Sequence, residues 1–410
     1  MLRAQRFLPS VRLFSTSSSS LAGQTGPQVS RAIVFSSNGD PKEVLKGHTY
    51  TLPELQPGGV RLRYDLSAIN PADLNVIQGV YPSKPAVRKD IGGPAEGLSI
   101  CGNEGTGVVE GFVEDGEVEK SLKIGDRVRS PALTSPQVQL NDYVETKTGT
   151  WQSHTNLPFT SLIPVTSNPP ISPVQAATLA INPPTALRML TDFVPLDPES
   201  SRSKHSNGKQ WVIQNGANSA VGTAVIQIAK SWGVGTINLV RDRDDLPALK
   251  EKLTSLGADH VLSYSELLSD PKVARAQIKD WTSGGALRLA LNCVGGKETT
   301  EMVKLLDLDG TLVTYGGMAK EPLKIPPSLF IFKKLTTTGF WLSDWVETHA
   351  EERVVMMSSL AQMVADGKLV EPAHEIVELR GDDEHVGSTI RGVMKKLEEG
   401  RGKKMLIRFI

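Results

Sequence analysis

The clearest candidate for a ligand-binding site is a pair of arginines, Arg241 and Arg243, that flank Asp242. They follow an apolar run, residues 236–240, that is typical of a buried strand. Guanidinium groups bind phosphate oxygens through paired hydrogen bonds, so arginines at a strand end suit a nucleotide with an additional phosphate. The alternative is a solvated charge cluster in which the arginines pair with neighbouring aspartates.

The preceding segment predicts a site for the remainder of such a nucleotide. An apolar run from Trp211 ends in a turn, and a helix follows whose apolar residues recur at helical spacing up to Trp232. Backbone N–H groups at a helix N-terminus stabilise a pyrophosphate. The residues predicted there are Asn218, Ser219, Ala220 and Val221. Two glycines of the G-x-G-x-x-G pattern are replaced, by Ala217 and Ser219, so the arginines are what favour NADP(H) over NAD(H).

Composition excludes several classes of function. The 410 residues carry 45 basic and 45 acidic side chains, so no excess positive charge indicates a general nucleic-acid-binding role. No apolar run approaches the roughly 18 residues of a membrane helix. Two cysteines, Cys101 and Cys293, are too few and too far apart to predict a disulfide framework.

The N-terminal segment has the composition of a mitochondrial transit peptide. It carries Arg3, Arg6, Arg12 and a serine run, with no acidic residue before Asp40. We expect residues 1–22 to be this targeting segment, with a mature chain that begins between residues 15 and 23 and resides in the mitochondrial matrix. A disordered cytosolic tail is the alternative.

The rest of the chain divides into three regions by pattern. Residues 23–182 show short β-like runs broken by glycine, proline and aspartate, which predict a mostly β domain. Residues 183–347 alternate helical segments with apolar strands, which predicts a doubly wound parallel α/β sheet. Residues 348–410 are amphipathic and end in the apolar run MLIRFI, so we expect them to return to the first domain.

A set of strings along the chain resembles the mitochondrial 2-enoyl thioester reductases, in the medium-chain dehydrogenase/reductase superfamily. They are INPADLNVIQGVYPSKP (69–85), GNEG (102–105), INPPTALRML (181–190), QNGANSAVG (214–222), VRDRDDL (240–246), LALNCVGGK (289–297), TYGGMAK (314–320) and GFWLSDW (339–345). The resemblance implies a Rossmann domain beside a GroES-like catalytic domain. It also implies NADPH-dependent reduction of enoyl thioesters presented by acyl carrier protein or coenzyme A, and a homodimer.

Zinc is the first question for this superfamily, whose alcohol dehydrogenases hold the metal beside a Gly-His-Glu motif. Here the motif reads Gly102-Asn103-Glu104, and no cluster of closely spaced cysteines is present. We therefore expect a reductase without metal. Hydride would add to the β-carbon of an activated double bond, and the protein would support the enolate and supply a proton at the α-carbon.

The resemblance also assigns roles to single residues. Tyr81, in the string GVYP, corresponds to the catalytic tyrosine and is the predicted proton donor, since a phenol with a pKa near 10 can donate near neutral pH. Asn182, with Thr185 one turn later, is expected beside the nicotinamide half, although helix capping alone would also explain an Asn before two prolines. Further predicted cofactor contacts are Tyr315, Gly316, Gly317, Met318, Phe340, Trp341, Leu342 and Lys403.

Several alternatives stay open at this stage. Lys404 lies beside Lys403, so the register of the expected lysine is uncertain. Residues 87–100 form a segment that shorter family members lack, and it either tunes substrate access or is a neutral surface insertion. The rival functions are a zinc-free NADPH:quinone oxidoreductase and a non-catalytic nucleotide-binding regulator; retention of Tyr81 argues against the second.

Overall fold

The computed structural model describes residues 21–95, 97–114, 123–129, 149–159, 162–164, 171–194, 196, 208–399 and 403–410. The predicted targeting segment lies outside this range except for its last two residues. Those two residues are already part of the fold, because Leu21–Gly23 forms a strand that pairs with residues 111–113. Among the described helices, none is long and apolar enough to cross a membrane.

The first domain is built mainly of strands, as the sequence predicts. Its strands are β1 (Leu21–Gly23), β2 (Gln28–Phe35), β3 (Lys46–Leu52), β4 (Gly59–Ala68), β5 (Ser99–Ile100), β6 (Gly105–Val113), β7 (Arg127–Arg129), β8 (His154–Pro158) and β9 (Ile163–Pro164). Its helices are α1 (Pro41–Val44), α2 (Pro71–Ile77) and α3 (Pro173–Thr178). A small sheet has the order β3-β2-β5, and the larger sheet is centred on the antiparallel pair β4 and β6.

The second domain is a six-stranded parallel sheet with helices between its strands, which confirms the predicted doubly wound class. Its strands, in the order β12-β11-β10-β13-β14-β15, are β10 (Gln210–Gln214), β11 (Gly235–Val240), β12 (His260–Ser263), β13 (Ala286–Asn292), β14 (Thr311–Thr314) and β15 (Thr336–Gly339). Its helices are α4 (Asn182–Thr191), α5 (Ala220–Ser231), α6 (Leu246–Leu256), α7 (Tyr264–Ser269), α8 (Pro271–Trp281), α9 (Gly296–Lys304), α10 (Pro327–Lys333) and α11 (Leu342–Thr348).

The C-terminal region serves both domains. It comprises α12 (Ala350–Ala365), β16 (His374–Leu379), α13 (Asp383–Glu398) and β17 (Lys404–Phe409). Helix α12 packs against α4, and its residues Met356 and Leu360 share the core cluster of the nucleotide-binding domain with Val225 and Ile228 of α5. Strand β17 pairs antiparallel with β4. The return to the first domain therefore comes after α12, later than the predicted boundary at residue 348.

Residues 87–100 are packed against the small sheet in their described part. Arg88 and Leu98 exchange backbone hydrogen bonds of 2.7 and 2.9 Å. The side chains of Ile91 and Leu98 are buried in a cluster with Val34 and Tyr50. The described residues of this segment therefore extend the core of the small sheet.

Candidate active site

Tyr81 lies at the boundary between the two domains, in contact with Trp341. The indole Nε1 of Trp341 donates a hydrogen bond of 2.8 Å to the Tyr81 hydroxyl oxygen. The two rings meet edge to face, with centroids 6.0 Å apart and an angle of 83° between their planes. Tyr81 follows α2 in the first domain, and Trp341 follows β15 in the second. The contact therefore joins the predicted proton donor to the domain that holds the nucleotide.

Helix α2 and the turn that follows it position Tyr81. Pro71 occupies its first turn, where a missing N–H costs nothing, and the Asp73 carboxylate accepts from the Asn70 N–H at 2.6 Å. The chain turns away at Gly79, whose φ of +80° disfavours any other residue. The N–H of Tyr81 then donates to the carbonyl of Asn75 at 3.2 Å. The tyrosine backbone is thus fixed to the helix that precedes it.

A buried polar cluster lies at the start of α2. Asn70 Oδ1 accepts hydrogen bonds from the Lys404 ammonium and, at 3.1 Å, from Asn182 Nδ2. Asn70 Nδ2 donates to Glu104 at 3.0 Å. The other oxygen of Glu104 accepts from the backbone N–H groups of residues 180 and 181, at 2.8 and 3.0 Å. Asn182 therefore sits at the start of α4 inside a network that reaches α2 and β17.

Burial shifts the titration of this cluster. Desolvation raises the pKa of Asp73 to about 7, against the lowering effect of the hydrogen bond from the Asn70 backbone. Desolvation also lowers the pKa of Lys404, while Glu104 and Asp73 favour its charged form. Burial raises the pKa of the neighbouring Cys101 thiol, which keeps it protonated at neutral pH.

Lys403 and Lys404 lie in different environments, and the role of Lys403 as a cofactor contact stays a prediction. Lys403 is exposed to solvent, whereas the Lys404 side chain is only 7 % exposed and lies 4.0 Å from Glu104. Successive side chains of a strand point to opposite faces, so a shift of one position exchanges the inward for the outward lysine. Lys404 is the lysine that lies beside Asn182.

The turn after β10 has the geometry of a phosphate-binding loop. Gly216 has a φ of +60°, and a Cβ there would lie 2.5 Å from the Cys293 sulfur. Ser219 caps α5 by accepting from the Gly222 N–H at 3.1 Å. In the described hydrogen bonds, the N–H groups of Ala220 and Val221 have no acceptor. A helix of 12 residues thus presents free donors where a pyrophosphate is predicted.

Tyr315, a predicted cofactor contact, lies beside this turn, near Ser219. Its hydroxyl oxygen is buried near Cys293 and Ser219, without a hydrogen bond of standard geometry to any described residue. Burial raises its pKa well above the ordinary value. The following residues leave room beside it: Gly317 has open space at its Cβ position, and Met318 is exposed. Gly316, by contrast, packs against Cys293.

Tyr264 is a residue of this loop that sequence reasoning did not identify. Its hydroxyl oxygen accepts a hydrogen bond of 3.2 Å from the Gly216 N–H. Burial raises its pKa to about 12. No local motif marks a tyrosine at the end of β12, because its contact with β10 arises only when the sheet forms.

The arginine pair at the end of β11 is divided between two environments. Arg243 forms a bidentate pair with Asp245, so the predicted charge cluster exists in part. Asp242 accepts from the Ser265 N–H at 3.0 Å, and hydrogen bonds from Ser263 and Ser265 lower its pKa. Arg241 is exposed, and no ion pair of the described residues includes it. Arg241 is therefore the guanidinium that is available to a phosphate.

The string after β15 contributes an aromatic wall. Phe340 meets Phe193 edge to face, with ring centroids 6.0 Å apart. Trp341 remains 39 % exposed at the domain boundary where it meets Tyr81. Leu342 is buried in the core with Trp345, so only its backbone is available to a cofactor. Thr185 donates to the carbonyl of residue 181 at 2.7 Å, and its side chain is also buried.

Two family models match the chain, in agreement with its two domains. The model for the alcohol dehydrogenase GroES-like domain matches residues 56–167. The model described as zinc-binding dehydrogenase matches residues 220–360. Together they indicate the medium-chain dehydrogenase/reductase superfamily.

Zinc does not fit the cluster beside Asn182. Its uncharged members are the amides Asn70, Asn103 and Asn182, which are poor zinc ligands compared with thiolate or imidazole. The Lys404 ammonium occupies the centre of the cluster, where it would repel a dication. In the part of the chain that the structure describes, no three histidine, cysteine or carboxylate residues are grouped to hold a metal.

Relatives and solved structures share nearly the full length of the chain. The mitochondrial enoyl-[acyl-carrier-protein] reductase of Schizosaccharomyces pombe is 35 % identical over 400 residues, 98 % of each chain, and the human one is 39 % identical over 91 % of this chain and 89 % of its own. A structure of the Etr1p/NADP/crotonyl-CoA complex superposes with a TM-score of 0.79 and 32 % identity, covering 93 % of this chain and all of that one. The Etr1p/Etr2p heterodimer of Candida tropicalis, described as a mitochondrial 2-enoyl thioester reductase, gives 0.79 and 33 %, with the same coverage. The chain therefore belongs to the family of mitochondrial enoyl-[acyl-carrier-protein] reductases.

Proposed function

We propose that this protein reduces the double bond of trans-2-enoyl thioesters with NADPH. The observation that carries the proposal is the contact of Tyr81 with Trp341 at the edge of a nucleotide-binding domain. It places a phenolic proton donor of one domain against an aromatic residue of the other. Relatives of the same family are named enoyl-[acyl-carrier-protein] reductases, and a related structure holds NADP with crotonyl-CoA.

The direction of the hydrogen bond between Trp341 and Tyr81 suits proton donation by Tyr81. The indole N–H of Trp341 can only donate, so the Tyr81 oxygen is the acceptor in this bond. The hydroxyl hydrogen of Tyr81 is therefore left to point elsewhere, and we assign it to the α-carbon of the substrate. A bond donated to the phenolic oxygen also stabilises the phenolate that forms when the proton leaves.

The residues around the turn after β10 fit NADPH. The free N–H groups of Ala220 and Val221 suit its pyrophosphate, and Arg241 suits its 2′-phosphate. Asn182, Phe340 and Trp341 would border the nicotinamide. When bound, NADPH supplies the hydride that adds to the β-carbon.

An enoyl thioester needs no metal to be reduced. The thioester carbonyl delocalises the charge that develops when hydride adds to the β-carbon, so hydrogen-bond donors and orientation suffice. This requirement agrees with a cluster built of amides and an ammonium group at Asn70, Asn182 and Lys404. The natural acyl carrier would be acyl carrier protein of mitochondrial fatty acid synthesis, with coenzyme A as a second carrier.

A homodimer is part of the proposal. Strand β15 is the edge of the parallel sheet, and three of its four residues are exposed. The preceding helix α10 exposes three consecutive apolar side chains, with Phe332 exposed at 75 %. An uncovered strand edge beside exposed apolar residues is a natural surface for a second copy of the chain. The Etr1p/Etr2p relative is itself described as a heterodimer.

A substrate comparison tests the proposal. NADPH oxidation by the chain from Leu21 onward is followed with trans-2-enoyl-CoA and with a quinone in parallel. We expect turnover of the thioester. Turnover of the quinone alone would assign the protein to the oxidoreductase alternative, and NADPH binding without either reaction would indicate a regulatory role.

A further inference from the structure

Asn70 and Glu104 connect the segment of α2 that leads to Tyr81 with the start of α4, where Asn182 lies. Asn70 precedes α2, which leads to Tyr81, and Glu104 precedes β6. Both side chains are buried, at 2 % and 0 % exposure. Neither has a role in the proton or hydride transfer described above, so their burial needs a separate explanation.

The direction of each hydrogen bond in this cluster is fixed by Lys404. An ammonium group can only donate, so the atom of Asn70 that faces Lys404 must be the amide oxygen. Asn70 therefore turns its NH₂ group to Glu104, a carboxylate that accepts. For the same reason, Asn182 must present its own NH₂ group to Asn70. The donors and acceptors form a chain with one allowed arrangement.

Glu104 links this hydrogen-bond network to the start of α4. Its second oxygen accepts from the N–H groups of Ala180 and Ile181, immediately before Asn182. These are backbone donors ahead of a helix, which otherwise would be buried without partners. One carboxylate thus ties Asn70 to the beginning of the helix that carries Asn182 and Thr185.

We propose that Asn70 and Glu104 are positioning residues, whose bridge sets the placement of the α2 segment with Tyr81 relative to Asn182 at the nicotinamide. This inference rests on the proposed function. Small displacements of reacting groups slow a reaction strongly, because the productive geometry is lost even when both reactants remain bound. The bridge acts through the two helices that it connects.

The donor–acceptor order can be reversed by two isosteric substitutions. Glu104→Gln places an NH₂ group against the NH₂ group of Asn70, which cannot rotate because Lys404 requires its oxygen. Asn70→Asp places a carboxylate against Glu104. The double variant Asn70→Asp/Glu104→Gln restores every bond with the direction of the bridge reversed, and it keeps the net charge of the cluster.

The test is a double-mutant cycle on the intact enzyme, with crotonyl-CoA as substrate. Each variant is measured for kcat, for the dissociation constant of NADPH, and for the primary isotope effect on kcat with NADPH deuterated at the transferred position. We expect each single substitution to lower kcat about 10- to 100-fold, to raise the isotope effect, and to change NADPH affinity less than about threefold. We expect the double variant to return kcat and the isotope effect to within about threefold of wild type.

Asn156→Asp is the matched control. Asn156 also joins strands of the first domain by side-chain hydrogen bonds, since it accepts from the buried Arg61 at 2.8 Å and donates to the carbonyl of Pro53 at 3.0 Å. Its partner Arg61 lies seven residues before Ala68 on β4, about 23 Å along the strand from the Asn70 end. We expect its isotope effect to equal that of wild type.

Three outcomes would overturn the inference. The first is normal kcat in both single variants, and the second is a double variant whose loss equals the product of the single losses. The third is a lower unfolding temperature and lower kcat with an unchanged isotope effect, which would indicate a structural role only. A wild-type protein that binds no NADPH would refute the proposed function and the inference together, whereas an active wild type without rescue would refute the inference alone.

Discussion

The indole Nε1 of Trp341 donates a hydrogen bond of 2.8 Å to the hydroxyl oxygen of Tyr81, although the two residues are 260 positions apart. The bond crosses from the nucleotide-binding domain to the catalytic domain. It fixes the phenol in a single orientation and leaves its proton free for the substrate. The placement of the proton donor thus depends on how the two domains meet.

Tyr81→Phe removes the proton donor while preserving the aromatic ring. We expect kcat with an enoyl thioester to fall about 100-fold or more, because general acid catalysis typically contributes this much. NADPH affinity should change little, since Tyr81 lies outside the turn that suits the pyrophosphate. Steady-state rates and a fluorescence titration with NADPH measure the two effects, and a variant with normal kcat would show that another group supplies the proton.

Trp341→Phe keeps an aromatic ring beside Tyr81 but removes its hydrogen-bond donor. We expect a smaller loss of kcat, about 10-fold, because the phenolate loses one stabilising bond while the phenol remains. The informative comparison is the double variant with Tyr81→Phe. It should be no slower than Tyr81→Phe alone, and full additivity of the two losses would contradict a role of Trp341 through Tyr81.

Arg241→Ala, compared with Arg243→Ala, tests which of the two arginines at the end of β11 binds the 2′-phosphate. Arg241 has no acidic partner among the described residues, whereas Arg243 is paired with Asp245. We expect Arg241→Ala to weaken NADPH binding about 10- to 100-fold with little effect on NADH, since only NADPH carries the 2′-phosphate. Arg243→Ala is the control and should have the smaller effect. Equal losses for both nucleotides would remove the argument for phosphate recognition.

The raised pKa of Asp73 predicts how the stability of the protein depends on pH. Burial raises its pKa to about 7, above the value of about 3.9 in an unfolded chain. The folded protein therefore holds this proton more tightly, and its contribution to the free energy of unfolding falls as pH rises from about 4 to 7, then levels off. Asp73→Asn removes this titration. Denaturant unfolding at several pH values should show a flatter profile for the variant, and parallel profiles would contradict the shift.

Phe332→Glu tests the proposed dimer surface. A charge on the exposed apolar stretch of α10 should shift the protein toward monomers, because burying an unpaired carboxylate opposes association. Val273→Glu, at an exposed position on α8, is the control and should leave the oligomeric state unchanged. Sedimentation velocity distinguishes the two species. A wild type that is monomeric at micromolar concentration would refute the dimer.

Local patterns predicted much of the fold and the site. The strand, turn and helix around Ser219, the strand-end arginines and the string around Tyr81 all lie where the sequence places them. These features depend on residues that are close in sequence, so spacing and composition identify them. The packing of α12 against the nucleotide-binding domain was not predicted, because an amphipathic pattern does not specify its partner.

The buried cluster of Asn70, Glu104 and Lys404 could not be predicted from the local sequence. Asn70 and Glu104 are 34 positions apart and meet because β4 pairs with β6. Lys404, 300 positions after Glu104, joins them because β17 pairs with β4. The same strand pairing selects Lys404 over Lys403. A one-residue choice on a strand changes the face of the side chain, and nothing in the local sequence Lys403-Lys404 makes that choice.

The position of the transferred hydrogen in the product is the most direct test of enoyl thioester reduction by this protein. The enzyme is supplied with crotonyl-CoA and NADPH deuterated at the transferred position, and the butyryl-CoA product is analysed by NMR and mass spectrometry. We expect one deuterium at the β-carbon and one solvent hydrogen at the α-carbon, with the rate of formation strongly reduced by Tyr81→Phe. Absence of the saturated thioester, or deuterium at the α-carbon, would contradict the assignment of this protein as an enoyl thioester reductase.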